Sequence, residues 1–473
     1  KAEDLLEYEQ MCIQGIQHEL QYLMEGKNDP GRGIVWFPGD QDVHPWLTSW
    51  GLLTFQDAVN AGFTVDPLII SDMQLWLTHQ QDSDGSFKFP DWGLYETTNP
   101  ILQSKKVSTT AYITRALLYS GYSRDHIIEN AMEYILNNIR TGDNWDDPYT
   151  LSLSLIAMEL GNGDMALRND LATRISELAV EDENGDTYWS TSNNMISNSE
   201  GGYHGRHANG KDIECTGYAI MALEAKGGYS SLTQGAVAYL LNHRSNLGGF
   251  SSTQDTVVAF QALRSSGNLP MESVDIEISV NEEDVEIVHI DTENRDMTFL
   301  VDLRGHLDDD MDIVLDSKGS GDVMYQIFLE QYIPWEIIGE DEPQELQFDV
   351  RYDTTNIKVS DTITASIELV YNGDAAQVRM VLIDLRTPVG FSFISSDFAS
   401  LDENGIIDFY EISGRQCIVY IESLDRGASV SFEYRLRADM VIKGTVQDVA
   451  VWDMYNTDLR SEETPVEFTS TEA

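Results

Sequence analysis

A chain of 473 residues with 42% hydrophobic content is long enough for two or three cores and too apolar to be disordered. Its 80 acidic residues against 29 basic ones give a net charge of −51. Such a surface lacks the basic patches that nucleic acid and anionic lipid require, so both are excluded as partners, and the acidity reads as solvation of the kind that keeps a protein soluble at high salt.

The stretch from Leu5 to Met24 predicts a helix of amphipathic, outer type. Five segments then share one pattern, a Thr or Ser opening an apolar helix that closes on glycine. They end at Gly62, Gly121, Gly161, Gly227 and Gly267. Apolar nearly all round, these helices are expected to be buried on most sides. The intervening residues 68–80 and 127–139 carry a 3.6-residue stripe instead. This alternation predicts an inner and an outer ring, an α/α toroid over residues 1–268. Because the chain opens on an outer-type helix, one inner helix is expected before Lys1. Turn-rich stretches around Gly85, Gly185 and Gly249 lead into inner helices.

After Gly267 the period becomes 2. Val274–Val280 and Glu286–Ile290 read as strands of a β segment over 269–338. A charged loop, Gly339–Glu345, leads to a β-sandwich over 345–473, with strands near 346–352, 362–371, 376–384, 417–422 and 429–437. Asn372–Gly373, between the second and third of these, predicts a hairpin. No run of 18 apolar residues suggests a membrane span. Cys12, Cys215 and Cys417 have neither zinc nor disulfide-scaffold spacing.

Chemical constellations are incomplete. His204 and His207 lack a third ligand, and the run Asp308–Asp312 reads as a solvated turn. No metal or cofactor is expected. Terpene cyclases and protein prenyltransferases also use a helical toroid. The acid motif of the former is missed by Asp82–Gly85 and Asp143–Asp147. Asp212 and Cys215 suggest the zinc set of the latter, but Gln254 and Asp255 stand where a His is needed. The chain therefore reads as not an enzyme.

Three strings carry a family resemblance. Gly248–Leu263, containing Gly-Gly-Phe-Ser-Ser-Thr-Gln-Asp, resembles the last inner helix of the thioester domain in α-macroglobulins, and Asp212–Leu223 resembles the inner helix before it. Phe432–Asp439 with Val449–Asn456 resembles that family's C-terminal receptor-binding domain. The order of toroid, CUB-like segment and terminal sandwich matches too, so the resemblance covers essentially the whole chain. It implies an endopeptidase inhibitor that traps proteases through an internal Cys–Gln thioester. The Cys-Gly-Glu-Gln motif is absent from these residues and is expected upstream of Lys1; none of the three cysteines can replace it.

The remaining site residues follow from the resemblance. Some members set a His opposite the thioester. Here that place falls near Glu96, without a His, which makes Glu96 a pocket candidate, against the more ordinary reading of a solvated loop carboxylate, and implies a preference for amines. Trp452 and Tyr455 match the region that covers the thioester, although both could equally be sandwich-core aromatics. Animal members carry lysines on a receptor-recognition helix, yet Ser395–Gly414 holds no Lys or Arg, so no animal clearance receptor is expected. The expected partners are target proteases, met through the full-length protein, with any membrane anchor in the preceding part. The absence of Asn-x-Ser/Thr acceptors and the acidity point to an extracellular or cell-envelope protein of a prokaryote. A cage without a thioester, acting as a binding or structural module, is the alternative.

Overall fold

The computed structural model describes residues 2–27, 29–38, 42–88, 106–123, 125–182, 184–191, 210–244, 249–250, 252–266, 273–281, 283–292, 294, 299–306, 311–320, 323, 325, 327, 345–373, 376–446, 449–454 and 456–472. They form two compact units, Lys1–Ala262 with Ile333–Ala473, and Leu263–Tyr332.

In the first unit the inner helices are α2 (Pro45–Asn60), α4 (Lys106–Tyr119), α6 (Pro148–Leu160), α8 (Gly210–Lys226) and α10 (Thr253–Ser266). Between them run α1 (Ala2–Glu19), α3 (Pro67–Thr78), α5 (His126–Asn138), α7 (Met165–Glu177) and α9 (Ser230–Asn242). The predicted alternation is plainest in the middle. Every residue of α4 from Val107 to Leu117 is buried, as is every residue of α6 from Pro148 to Met158. The outer helix α5 buries only Ile128, Ala131, Met132 and Ile135, one stripe. The expectation of burial on most sides fails for α10, which buries Asp255, Val258, Ala259 and Ala262 and leaves Phe260 exposed. Each inner helix needs a neighbour on both flanks to be enclosed, and α10 ends the described series.

Helix ends are set locally. Asp66, Asp125, Asp147 and Asp164 accept first-turn amides as N-caps of α3, α5, α6 and α7. Ser252 and Asp255 bond reciprocally at the head of α10, a capping box. Gly62, Gly121 and Gly227 take positive φ just past their helices; after α6 it is Asn162, not Gly161, that does so.

One interaction recurs at four inner helices. A backbone N–H of the preceding connector donates to the hydroxyl of the repeat's threonine. Ile34 donates to Thr48 at 3.0 Å, Phe87 to Thr110 at 3.1 Å, Trp189 to Thr216 at 3.0 Å and Phe250 to Thr256 at 2.9 Å. Ile34, Phe87 and Trp189 are themselves buried, so each connector drives an apolar plug between helices while its amide finds an acceptor. The hairpins β1 (Leu23–Glu25) with β2 (Arg32–Ile34), and β3 (Val180–Glu181) with β4 (Thr187–Tyr188), deliver two of these plugs. At α6 the threonine instead joins the cap, where Thr150 donates its amide to Asp147.

In the second unit β5 (Ser273–Val280) lies between β6 (Glu283–Asp291) and β7 (Ile313–Ser320), over a small core of Ile278, Val288 and Ile290. Within the run Asp308–Asp312, residues 308–310 lie outside the described residues.

The terminal sandwich contains β8 (Leu346–Tyr352), β9 (Asn356–Lys358), β10 (Thr362–Tyr371), β11 (Gln377–Arg386), β12 (Phe391–Phe393), β13 (Phe409–Ser413), β14 (Gln416–Asp425), β15 (Ser429–Ala438), β16 (Ile442–Val446), β17 (Ala450–Asp453), β18 (Asn456–Glu462) and β19 (Val466–Thr471). One helix, α11 (Ser395–Glu403), interrupts them. The two main sheets have the orders β12-β15-β10-β8 and β13-β14-β11-β17-β18, and β16-β19-β9 forms a third. Their inward residues, among them Ile367, Leu369, Tyr434, Val381, Ile383 and Val419, make one core.

Asn372–Gly373 is not a hairpin. β10 pairs with β15 and β8, whereas β11 pairs with β14 and β17, so the chain crosses from one sheet to the other. Both strands are long and carry a full apolar face, and each occupies an interior position of its own sheet. At the crossing, Asn372 N donates to Glu345 O and Gly427 N to Tyr371 O, both at 2.7 Å. Glycine at 373 answers to close approach and not to turn geometry, because a Cβ would meet the Tyr371 ring and the Glu345 carboxylate and those side chains would have to move.

Replacing Thr216 by Val keeps shape but strands the buried Trp189 amide. The expected loss is about 1–3 kcal/mol of unfolding free energy in denaturant titration, while Thr54→Val on the exposed side of α2 stays within about 0.5 kcal/mol of the parent. Equal effects would mean that the hydroxyl acceptor is dispensable.

Candidate functional site

The heads of the inner helices gather the side chains of interest. Val35 N donates to Tyr22 O and His44 N to Ile34 O, both at 3.0 Å, which with the Thr48 bond fixes the segment leaving β2. Trp36 therefore stacks on Trp46 at 5.9 Å between centroids, and Trp46 meets Trp50 at 5.8 Å. The His44 ring meets Trp36 edge-on, and burial pushes its pKa down to about 3, so the imidazole is neutral at physiological pH.

The next residue, Phe37, leaves the helical part and packs on the sandwich, 4.7 Å from Phe409 and 6.0 Å from Tyr420 between centroids. Beside it His18 Nε2 and Glu411 Oε1 are 3.0 Å apart. The strand register makes a row of this contact: Phe409 pairs with Tyr420, Tyr420 with Leu382, Leu382 with Trp452, and Trp452 with Arg460. Side chains alternate along strands, and the neighbours Val381, Ile383, Val419, Ile421 and Val451 fill the sandwich core. The row therefore faces outward, toward the side Phe37 occupies. Leu382 is only 8% exposed although it points away from the core. Burial, then the charge of Glu411, pushes the Tyr420 phenol up to about 12.

Trp452 belongs to this outer row, half-buried, with the Arg460 guanidinium 5.3 Å from its ring. It is thus not a sandwich-core aromatic. Tyr455, Glu96, His204 and His207 lie outside the described residues.

Sequence reasoning passed over a second feature. Glu214, near the head of α8, is buried, and its Oε1 accepts from Tyr149 Oη of α6 and Gln254 Nε2 of α10, each at 2.7 Å. Burial pushes its pKa up to about 7 against those two bonds. An acid inside an apolar inner helix was the available signal. The adjacent Cys215 is wholly enclosed, with its thiol pushed far up by burial. Gln254 and Asp255 are engaged with Glu214 and the α10 cap respectively. Among the described residues no group of three His, Cys, Asp or Glu side chains is placed to hold a metal.

Comparison with known proteins adds to this geometry. The family model of the A-macroglobulin TED domain matches residues 7–265, and that of the A-macroglobulin receptor binding domain matches residues 376–465. Ovostatin of Gallus gallus is 25% identical over 464 residues, 94% of this chain and 30% of its own length, so the chain spans under a third of that relative. The Salmonella alpha-2-macroglobulin reacted with methylamine superposes with a TM-score of 0.60 at 14% identity, over 96% of this chain and 27% of that one. Native alpha-2-macroglobulin from Escherichia coli, spanning domain MG7 to the C-terminus, gives 0.59 at 13% identity, over 96% and 67%. At such identities the solved structures share the fold.

Glu214 makes stability depend on pH. Folded, it holds its proton to about pH 7 against an ordinary value of 4.5. The folded state binds the extra proton, so this contribution is complete below pH 4.5 and is lost as pH rises through 7. Unfolding free energy should fall by up to about 3 kcal/mol more between pH 5 and 8 in the parent than in Glu214→Gln. Superimposable pH profiles would show that Glu214 titrates normally.

Proposed function

The chain belongs to the α-macroglobulin family, and from that premise we propose that it is the C-terminal portion of a protease-trapping endopeptidase inhibitor whose reactive thioester precedes Lys1. The observation that carries the reading is the outer row of the sandwich, Phe409, Tyr420, Leu382 and Trp452, turned toward the helical part and touched there by Phe37.

A thioester couples a good leaving group to an acyl carbon, and water destroys it unless it is kept dry. A lid built as a rigid sheet face, not a loop, excludes water without having to order itself first. In this reading Trp452, with Tyr455 three residues on, covers the reactive bond, and Glu96 lines its pocket. Phe37 and the pair His18–Glu411 hold the sandwich in place. Cleavage of a bait elsewhere in the protein would lift the sheet and let a protease amine attack the acyl carbon, releasing the thiol. The methylamine-reacted Salmonella relative supports amine capture.

The helix α11 carries no Lys or Arg, which supports partners other than an animal clearance receptor. Among the described residues no helix is long and apolar enough to cross a membrane. An extracellular or cell-envelope location fits a trap for foreign proteases, with any anchor in the preceding part.

The test uses the full-length gene product. Methylamine should be incorporated with stoichiometric release of thiol, and added trypsin should form a conjugate that survives denaturant. Trp452→Ala should release thiol severalfold faster with no protease present. Trypsin held without thiol release or conjugate would instead mean a cage that captures without a covalent bond.

A further inference from the structure

Arg115 lies on the inner helix α4 and is 7% exposed. Its guanidinium donates to Gln261 Oε1 of α10 at 3.3 Å and stands 5.3 Å from the centre of the Tyr218 ring of α8. Among the described residues no carboxylate lies within 4.0 Å of it. Asp57 is reached only through Gln261, whose amide donates to Asp57 Oδ2 at 3.3 Å. Glu214 accepts from Tyr149 and Gln254.

Three residues before Arg115, on the same helical face, is Tyr112, 1% exposed. Its hydroxyl has no hydrogen-bond partner among the described residues. A guanidinium taken out of water without a counter-charge is among the costliest groups to bury, and a stranded hydroxyl adds to that cost. Among the described residues the guanidinium, bonded to neutral partners only, lacks a counter-charge and the hydroxyl lacks a partner; a single acceptor carrying negative charge would answer both.

We propose that Arg115 and Tyr112 form an anion site inside the helical ring, occupied by a carboxylate. The planar guanidinium fork matches the two carboxylate oxygens, and the phenol supplies a further donor. Tyr218 engages the guanidinium through its ring and a side-chain hydrogen bond, without bringing a charge. The carboxylate has two possible sources, a free small acid or a side chain of the protein's own.

Acetate is the probe, titrated against chloride at equal ionic strength, with the thermal midpoint and the linewidth of methyl-labelled acetate as readouts. A free-acid site gives saturable broadening and a rise of about 3 °C. Both should be lost in Arg115→Met, and affinity should be severalfold weaker in Tyr112→Phe, which removes only the hydroxyl. If the protein supplies the carboxylate, acetate does nothing and Arg115→Lys, which keeps the charge, is the more stable of the Lys and Met variants. No acetate response beyond chloride, together with a Met variant at least as stable as the Lys variant, overturns the proposal. Removing an unneeded buried charge should not hurt.

Discussion

A threonine hydroxyl that accepts one backbone amide from the connector ahead of it is the constraint on which the helical ring depends. Each connector must carry an apolar plug into the space between helices, and that takes a peptide N–H out of water. At Thr48, Thr110, Thr216 and Thr256 the inner helix supplies the acceptor. The hydroxyl fixes the depth of the plug and thereby the spacing of neighbouring helices. Where a helix pair must come closer still, side chains shrink. Gly217 of α8 lies so near Val258 of α10 that a Cβ would sit 2.8 Å from its Cγ1.

The same bond reaches the surface that meets the sandwich. Thr48 pins Ile34, and three residues later Phe37 meets Phe409 and Tyr420 of the sandwich. A contact made by a residue so near a fixed point needs little additional ordering, which is why a few side chains can hold a whole sheet face. The His18–Glu411 pair is half open to water and contributes little by comparison. Among the described residues the contact is therefore chiefly aromatic.

The helical half was legible in the sequence because its repeat is physical. At α2, α4 and α8 the Thr is the staple, the apolar run the buried face and the closing glycine the C-cap, while α6 keeps the letters but uses Thr150 in its N-cap and Asn162 at its end. Five sandwich strands were legible by alternation, and their observed limits lie close to those read. Asn372–Gly373 misled because the dipeptide is as useful for a tight crossing between sheets as for a hairpin, and only the partner strands decide. The short strands β9, β12, β16 and β17 carry too few residues to show a period. Arg115 and Glu214 stood in the sequence as charges inside apolar inner helices, a signal passed over, and only packing reveals that they share the ring. Trp452 could be read from sequence as a core or a covering residue; the register with Leu382 and Arg460 places it on the outer face.

The most direct test of the account is native-state hydrogen exchange at the amides of Ile34, Phe87, Trp189 and Phe250. Bonded to buried or half-buried threonine hydroxyls, they should exchange as slowly as amides in the middle of the adjoining inner helices, and open with them. Exchange at the rate of exposed loop amides, while α4 and α8 stay protected, would contradict the claim that these bonds hold the ring together.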